Sequence, residues 1–299
     1  MRVDNLALFC LNWRLNFLCC TNMILVGDFF KRVFTAVLFV IVLIVGIYVH
    51  PIGLIATFLG IALLANYEFY GLVKKANASP QLVTGLIAVV LLFGAVASHI
   101  YCGKTVLFQL LILLTFLSFI IELYRKKENP FANIAYTLLG VIYVALPFAL
   151  LIYLALQNGV EQFRPDIVMG LFIMIWINDT GAYLVGVNFG KNRLFERISP
   201  KKSWEGSIGG GIATLLAAWA CSYFSQELNL VLWLSVGLII AVVGGLGDLV
   251  ESLFKRSINV KDSGSILPGH GGLLDRFDAI LIVAPMVFVF LEIVKEFSN

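Results

Sequence analysis

Charged residues are scarce in this sequence. Asp, Glu, Lys and Arg make up 13% of its 299 residues, against 60% hydrophobic residues, and the mean hydropathy is +0.95. A soluble domain carries about 25% charged residues. So much apolar side chain cannot be hidden in a water-soluble core, which excludes an ordinary soluble enzyme and predicts an integral membrane protein. A formal net charge of +3 is also too small to indicate a nucleic-acid partner.

Paired cysteines are also missing. The five cysteines include no C-x-x-C pair and are odd in number: Cys10, Cys19, Cys20, Cys102 and Cys221. This pattern argues against a disulfide framework and against a zinc site.

Long apolar runs dominate what is present, and runs of about 17–25 residues are typical of membrane-spanning helices. The sequence therefore predicts an all-α, polytopic membrane protein with about nine spans, near residues 33–49, 51–67, 82–98, 105–121, 134–156, 167–189, 206–224, 228–247 and 279–294. If these spans alternate, 18 of the 21 Lys and Arg residues lie on one side, and only Lys104, Arg164 and Lys295 lie on the other. This bias predicts that the charged loops face the cytoplasm and the C-terminus faces outward.

Residues 1–22 differ from the rest. Their two short apolar runs are interrupted by Asn12, Trp13 and Arg14, so neither is long enough to span a membrane. We expect an N-terminal extension with Met23 as the natural start, followed by a single transmembrane domain over 23–299. A short interfacial helix is the alternative for the extension.

A basic loop follows the sixth span, GKNRLFERISPKKSWEG at 190–206. Basic residues alone would be explained as a positive-inside anchor. Ser199, Lys201 and Lys202, however, precede a glycine-rich helix start, where backbone N–H groups can approach an anion. Lysines beside such a start supply point charges for phosphate.

Asp179 lies well inside the sixth span, next to Asn178. A carboxylate near the bilayer centre costs about 3 kcal/mol on insertion scales, so such residues usually face a water-filled cavity or a partner. We interpret Asp179 as lining a polar cavity, with a buried Asp that bridges helices as the alternative.

Carboxylates are concentrated between residues 248 and 278. Asp248, Glu251 and Lys255 have the spacing of one helical face, and Asp275 and Asp278 can share a face at the start of the last span. Carboxylates brought together repel one another unless a cation neutralises them. Hard oxygen ligands suit Mg²⁺, which usually takes one or two carboxylates together with substrate phosphates.

A glycine-rich turn, PGHGG at 268–272, directly precedes the last two acids. Such a turn can expose backbone N–H groups to phosphate, and Lys255, Arg256 and Lys261 can hold further phosphate oxygens. Each part alone has a plain explanation: His270 as a turn residue, or Asp275 and Asp278 as acids at a helix start. Their joint occurrence favours a metal-phosphate site.

The segment SLFKRSINVKDSGSILPGHGGLLDRFD resembles the long motif of phosphatidate cytidylyltransferases, also called CDP-diacylglycerol synthases. Upstream, NDTGAY and SPKKSWEG are similar to the same family. The fixed positions of the motif are all filled: Ser252, Lys255, Arg256, Lys261, Asp262, Pro268, His270, Gly271, Gly272, Asp275, Arg276 and Asp278.

The resemblance implies that CTP and phosphatidic acid give CDP-diacylglycerol and pyrophosphate in a bacterial cytoplasmic membrane. It also implies a Mg²⁺-dependent homodimer whose site faces the cytoplasm, with Asp248 and Asp275 as metal ligands and a second cation left open. The catalytic set carried over is Asp248, Lys255, Arg256, Lys261, His270, Asp275 and Asp278. The substrate-binding set is Asp179, Ser199, Lys201, Lys202, Gly271, Gly272 and Arg276.

Two other functions remain open. A CTP-dependent lipid kinase of the polyprenol or phytol type shares related motifs and would release CDP rather than pyrophosphate. A transporter would use Asp179 as an ion or proton relay, although it has little need for the charged loop.

Overall fold

The computed structural model describes residues 33–260, 263–264 and 271–298, and over these residues the chain is mainly α-helical. The helices are α1 (Val33–Tyr48), α2 (Pro51–Lys74), α3 (Leu82–Cys102), α4 (Val106–Arg125), α5 (Pro130–Leu139), α6 (Leu146–Leu156), α7 (Pro165–Phe189), α8 (Trp204–Phe224), α9 (Leu230–Ser257) and α10 (Asp278–Ser298). The predicted all-α membrane fold is confirmed. The extension at residues 1–22 lies outside the described residues.

Seven of the described helical segments are long and apolar enough to cross a membrane. They are α2, α3, α4, the combined segment Pro130–Leu156, α7, α8 and α9. Helix α1 is apolar but shorter, and α10 carries charges near both ends. Each predicted span therefore corresponds to a helix, while the number of nine membrane crossings stays a prediction.

A π-helical turn, Gly140–Ala145, joins α5 to α6. The N–H of Leu146 bonds to the carbonyl of Val141, five residues back. Pro147 follows and has no N–H to give. A π-helical turn contains one residue more than an α-helical turn. The helix can therefore continue although Pro147 donates no hydrogen bond, and such turns occur where a helix is locally distorted.

Aromatic side chains hold the centre of the bundle. Phe58 of α2 stacks with Phe148 and Phe172, at ring-centroid distances of 5.9 and 6.1 Å. Phe277 meets the same two rings edge-on, at 5.1 and 6.2 Å. Phe277 directly precedes α10, so the hydrophobic core fixes the charged turn on its N-terminal side.

Glycines let α8 pack closely against α7. A Cβ atom at Gly206 would lie 2.7 Å from the carbonyl oxygen of Ala182, and one at Gly210 would lie 2.6 Å from that of Asn178. A carbon atom cannot lie this close to an oxygen atom to which it is not bonded. Larger residues at these two positions would therefore force the backbones of α7 and α8 apart. The glycines that sequence analysis assigned to anion approach thus have a packing role in the structure.

The loop between α7 and α8 contains a short hairpin that the sequence analysis did not predict. Strands β1 (Arg193–Phe195) and β2 (Ser199–Ser203) pair antiparallel. Glu205, at the start of α8, accepts hydrogen bonds from the backbone N–H groups of Lys191 and Asn192, both at 3.1 Å. The hairpin is therefore tied to the helix that follows it.

Candidate active site at the charged end of helix α9

Helix α9 continues beyond its apolar part to Ser257, and this part of the helix carries charged and polar side chains. Ser252 Oγ donates to Asp248 Oδ1 at 3.3 Å. One turn further, Lys255 Nζ pairs with Glu251 Oε1 at 3.3 Å. The predicted shared face of Asp248, Glu251 and Lys255 is confirmed, because residues three and four apart are neighbours on a helix.

The hairpin brings a lysine onto this face. Lys202 Nζ lies 2.7 Å from Asp248 Oδ2 and donates to the carbonyl of Gly245 at 2.8 Å. Lys202 is half-buried in this contact, whereas the preceding Lys201 is exposed. The sequence analysis treated Lys201 and Lys202 as a pair, but in the structure the two lysines differ in exposure.

Two acids from other helices join Asp248. Asp278, the first residue of α10, interacts electrostatically with Asp248, Asp179 and Lys202. Asp179 of α7 interacts with Lys202 and Asp248, and its side chain is exposed. Gly247 makes this approach possible, because a Cβ atom there would lie 2.7 Å from the carbonyl oxygen of Asp278.

Asp275 lies in a 3-10 turn, Leu274–Arg276, just before α10. Its Oδ1 pairs with Lys255 Nζ at 2.6 Å. Its Oδ2 accepts from the backbone N–H groups of Ser263 and Gly272, at 3.2 and 3.3 Å. Burial acts to raise the pKa of Asp275, but contacts with Glu251, Lys255 and Ser263 outweigh it and lower that pKa to about 2.

The turn differs from expectation in two respects. Asp275 and Asp278 do not share a helical face: Asp275 precedes α10, and Asp278 Oδ1 accepts from the N–H of Ala279 at 2.7 Å. The N–H of Gly272, which sequence analysis offered to phosphate, donates to Asp275 instead. Gly271 has a φ of +83°, in the left-handed region that favours glycine.

Glu68 of α2 is a site residue that sequence analysis missed. Its side chain is buried, and Oε2 accepts from the N–H groups of Leu273 and Leu274 at 2.6 and 3.0 Å. Ser263 Oγ lies 3.3 Å from Oε1. A signal was present, because Glu68 is an acid in an apolar run, the same feature that singled out Asp179.

Arg256 and Arg276 are two further predicted residues that the structure describes. The Arg256 guanidinium donates to the carbonyl of Val260 at 3.3 Å. Arg276 lies in the same 3-10 turn as Asp275, with an exposed side chain. Lys261 and His270 lie outside the described residues, so their predicted roles stay predictions.

Carboxylates outnumber lysines here, which suits a hard cation. Within the described ranges, no group of three or more His, Cys, Asp or Glu side chains is arranged to hold a metal ion. Asp248 and Asp275, the two predicted ligands, are paired with Lys202 and Lys255. Glu251 is 0% exposed, and in the described part of the chain neither of its oxygens accepts a well-aligned hydrogen bond. Lys255 Nζ lies 3.3 Å from its Oε1, and a buried carboxyl group with so few partners fits a site completed by a cation.

Comparison with known proteins places this site in a family. The model of the Cytidylyltransferase family matches residues 30–294 of the chain. This chain belongs to the Cytidylyltransferase family. The matched segment includes the hairpin, the charged end of α9 and the turn before α10, so the whole described site lies within the family region.

Curated relatives in the Cytidylyltransferase family are phosphatidate cytidylyltransferases. The protein from Staphylococcus aureus (strain COL) is 42% identical over 180 residues, covering 58% of this chain and 66% of the relative, slightly under two thirds of its length. The protein from Staphylococcus haemolyticus is 40% identical over 182 residues, covering 60% and 68%. The protein from Staphylococcus epidermidis is 34% identical over 233 residues, covering 77% and 86%.

Proposed function

We propose that this protein is a phosphatidate cytidylyltransferase, which makes CDP-diacylglycerol and pyrophosphate from CTP and phosphatidic acid. The observation that carries the proposal is the pairing of Asp248 with Lys202 and of Asp275 with Lys255 at one end of α9, in a chain of the Cytidylyltransferase family. The relatives bear the name of this activity.

The proposed reaction is a substitution at phosphorus. A phosphate oxygen of phosphatidic acid attacks the α-phosphorus of CTP, and a new P–O bond forms. The bond from that phosphorus to the oxygen bridging the α- and β-phosphates breaks, and its electron pair leaves with pyrophosphate. In such transfers the protein contributes mainly positioning and charge neutralisation.

Lys202 and Lys255 are the cations best placed for this work. Each ammonium group contacts a carboxylate within 2.7 Å, and each can turn to phosphate oxygens when a nucleotide enters. Lys202 comes from the hairpin and Lys255 from α9, so the two approach the site from different elements. Arg256, Lys261 and Arg276 are proposed to hold further phosphate oxygens.

Mg²⁺ is the proposed cofactor, held by Asp248 and Asp275. When bound, it would neutralise charge on the nucleotide phosphates and on the leaving group. Asp179, which interacts with Asp248, is available to a second cation.

The proposed location is a bacterial cytoplasmic membrane, with the site toward the cytoplasm and the C-terminus outside. This rests on the distribution of Lys and Arg between the two sides. CTP would enter from the cytoplasm. The acyl chains of the lipid would stay in the bilayer while its head group reaches the exposed Asp179 side of α7.

The test is an assay of the purified protein with labelled CTP and phosphatidic acid, with and without Mg²⁺. We expect labelled CDP-diacylglycerol and stoichiometric pyrophosphate, and only with the metal present. Release of CDP with a phosphorylated lipid would identify a kinase instead. Solute flux into liposomes without CTP, and no labelled lipid, would identify a transporter.

A homodimer is the proposed assembly, on the family resemblance alone. Light scattering of the detergent-solubilised protein, corrected for bound detergent, should give twice the mass of the 33.0 kDa chain. A single-chain mass at assay concentrations would contradict this part of the proposal.

A further inference from the structure

We propose that Glu68 is a positioning residue for the reaction: it holds the turn that carries Asp275 in the geometry that the site requires. The inference rests on the proposed function. Glu68 belongs to α2, far from the charged segment in sequence, and it lies outside every motif discussed above.

Glu68 receives three hydrogen bonds from the segments around Asp275. Its Oε2 accepts from the N–H groups of Leu273 and Leu274, at 2.6 and 3.0 Å. Its Oε1 accepts from Ser263 Oγ at 3.3 Å. Hydrogen bonds to an ionised acceptor are about twice as strong as neutral ones, so the carboxylate is a strong anchor for both segments.

Ser263 links this anchor directly to the proposed metal ligand. Its hydroxyl donates to Glu68, and its backbone N–H donates to Asp275 Oδ2. Gly264 and Gly272 complete the contact, because a Cβ atom at either position would collide with Glu68 Oε1. The two glycines thus allow the chain to fold closely around a carboxylate from another helix.

The anchor itself is firmly held relative to α9. The neighbouring Phe69 stacks on Phe254 of α9, with ring centroids 5.2 Å apart. Because α9 also carries Lys255, the partner of Asp275, this contact ties the helix of Glu68 to the helix of the lysine.

Burial of a carboxylate at this position has an energetic cost. Glu68 is 6% exposed, and in the described part of the chain it makes no ion pair. An ionised group is expensive to bury when only backbone and hydroxyl donors compensate it. What the carboxylate supplies, and a neutral side chain does not, is two acceptor oxygens that serve all three donors at once.

The experiment compares three single variants in the full-length protein. Glu68→Gln keeps the size of the side chain but replaces one acceptor oxygen by a donor. Ser263→Ala is a milder change that removes only the hydroxyl link. Glu122→Gln is the matched control, because Glu122 is another buried carboxylate with several donors, Gln81, Asn133 and Arg125, none of which lies in the turn of Asp275.

Two readouts are used. The first is kcat, together with the Mg²⁺ concentration that gives half-maximal rate. For Glu68→Gln we expect kcat per folded molecule to fall about 10–100-fold, the effect of a charge-assisted hydrogen bond lost from the active geometry. The half-saturating Mg²⁺ concentration should rise. Ser263→Ala should shift both in the same direction by less, and the double variant should be non-additive.

The second readout is hydrogen–deuterium exchange of the peptide that contains Leu273 and Leu274, without substrate or added metal. We expect faster exchange in Glu68→Gln and unchanged exchange in Glu122→Gln, whose kcat and Mg²⁺ requirement should also stay at the wild-type values. Unchanged exchange in Glu68→Gln would overturn the inference, whatever reaction the enzyme catalyses. Faster exchange with wild-type kcat and Mg²⁺ dependence would also overturn it. If the wild type makes no CDP-diacylglycerol, the proposed function fails, and the exchange result still decides whether Glu68 holds the turn.

Discussion

Lys255 is the residue whose removal tests the charge arrangement most directly. Its ammonium group lies between two acids, 3.3 Å from Glu251 Oε1 and 2.6 Å from Asp275 Oδ1. The side chains of Lys255 and Glu251 are 11% and 0% exposed, so water screens this contact poorly. Lys255→Met keeps most of the volume and removes the charge.

The expected loss of stability follows from these distances. At an effective dielectric constant near 20, the pair between Lys255 and Asp275 is worth about 6 kcal/mol of Coulomb energy before desolvation is subtracted. Removing one partner of a buried pair typically costs about 3–5 kcal/mol, because an uncompensated charge is left behind. We expect a loss of about 3 kcal/mol, since Asp275 keeps its two backbone donors. By the scaling of globular domains this lowers Tm by about 6–12 °C.

Thermal unfolding in detergent, followed by intrinsic fluorescence, measures this loss. Lys295→Met is the matched control, because Lys295 is an exposed lysine whose contact with Gln157 is 3.4 Å long. A Tm within about 1 °C of the wild type for Lys255→Met alone, where even a surface pair is worth up to about 1 kcal/mol, would refute the reasoning.

Three further predictions concern the surrounding residues. Lys202→Ala should lower kcat/KM for CTP about 10-fold, and more than Lys201→Ala does, because Lys202 contacts Asp248 whereas Lys201 is exposed. Equal effects in a steady-state assay would contradict this assignment. Asp275→Asn should reduce turnover about 100-fold, which is the size of effect seen when one electrostatic stabiliser is lost. Expression and helix content by circular dichroism should stay normal. Near-normal turnover would show that Asp275 is not a metal ligand. Gly247→Ala should destabilise the protein by about 1–3 kcal/mol through overpacking against the backbone of α10. An unchanged denaturation midpoint would show that α9 and α10 can move apart without loss of stability.

Much of this protein could be predicted from the sequence, because the relevant signals are local. A run of about 20 apolar residues identifies a spanning helix without reference to the rest of the chain. The described helices, from Val33–Tyr48 to Asp278–Ser298, follow the predicted runs closely. The spacing of Asp248, Glu251 and Lys255 likewise predicts a shared face from helical geometry alone.

Turn chemistry was harder to predict. The glycines near residue 272 are compatible with a phosphate-binding turn, but the Gly272 N–H donates to Asp275 in the structure. The glycines of α8 were assigned to anion binding, but Gly206 and Gly210 allow close packing against α7. A glycine indicates that another group approaches the backbone closely, but the sequence alone does not show whether that group is a ligand or another part of the protein.

The sequence by itself determined the membrane class, the helices, the family motif and the acids at the end of α9. Only the tertiary structure decided which lysine faces those acids, and that Glu68 holds the turn of Asp275. The hydrogen bond from Leu273 to Glu68 joins residues 205 positions apart. Hydropathy and helical period act over a few turns of chain, whereas a contact over that separation exists only after the helices between its partners have packed.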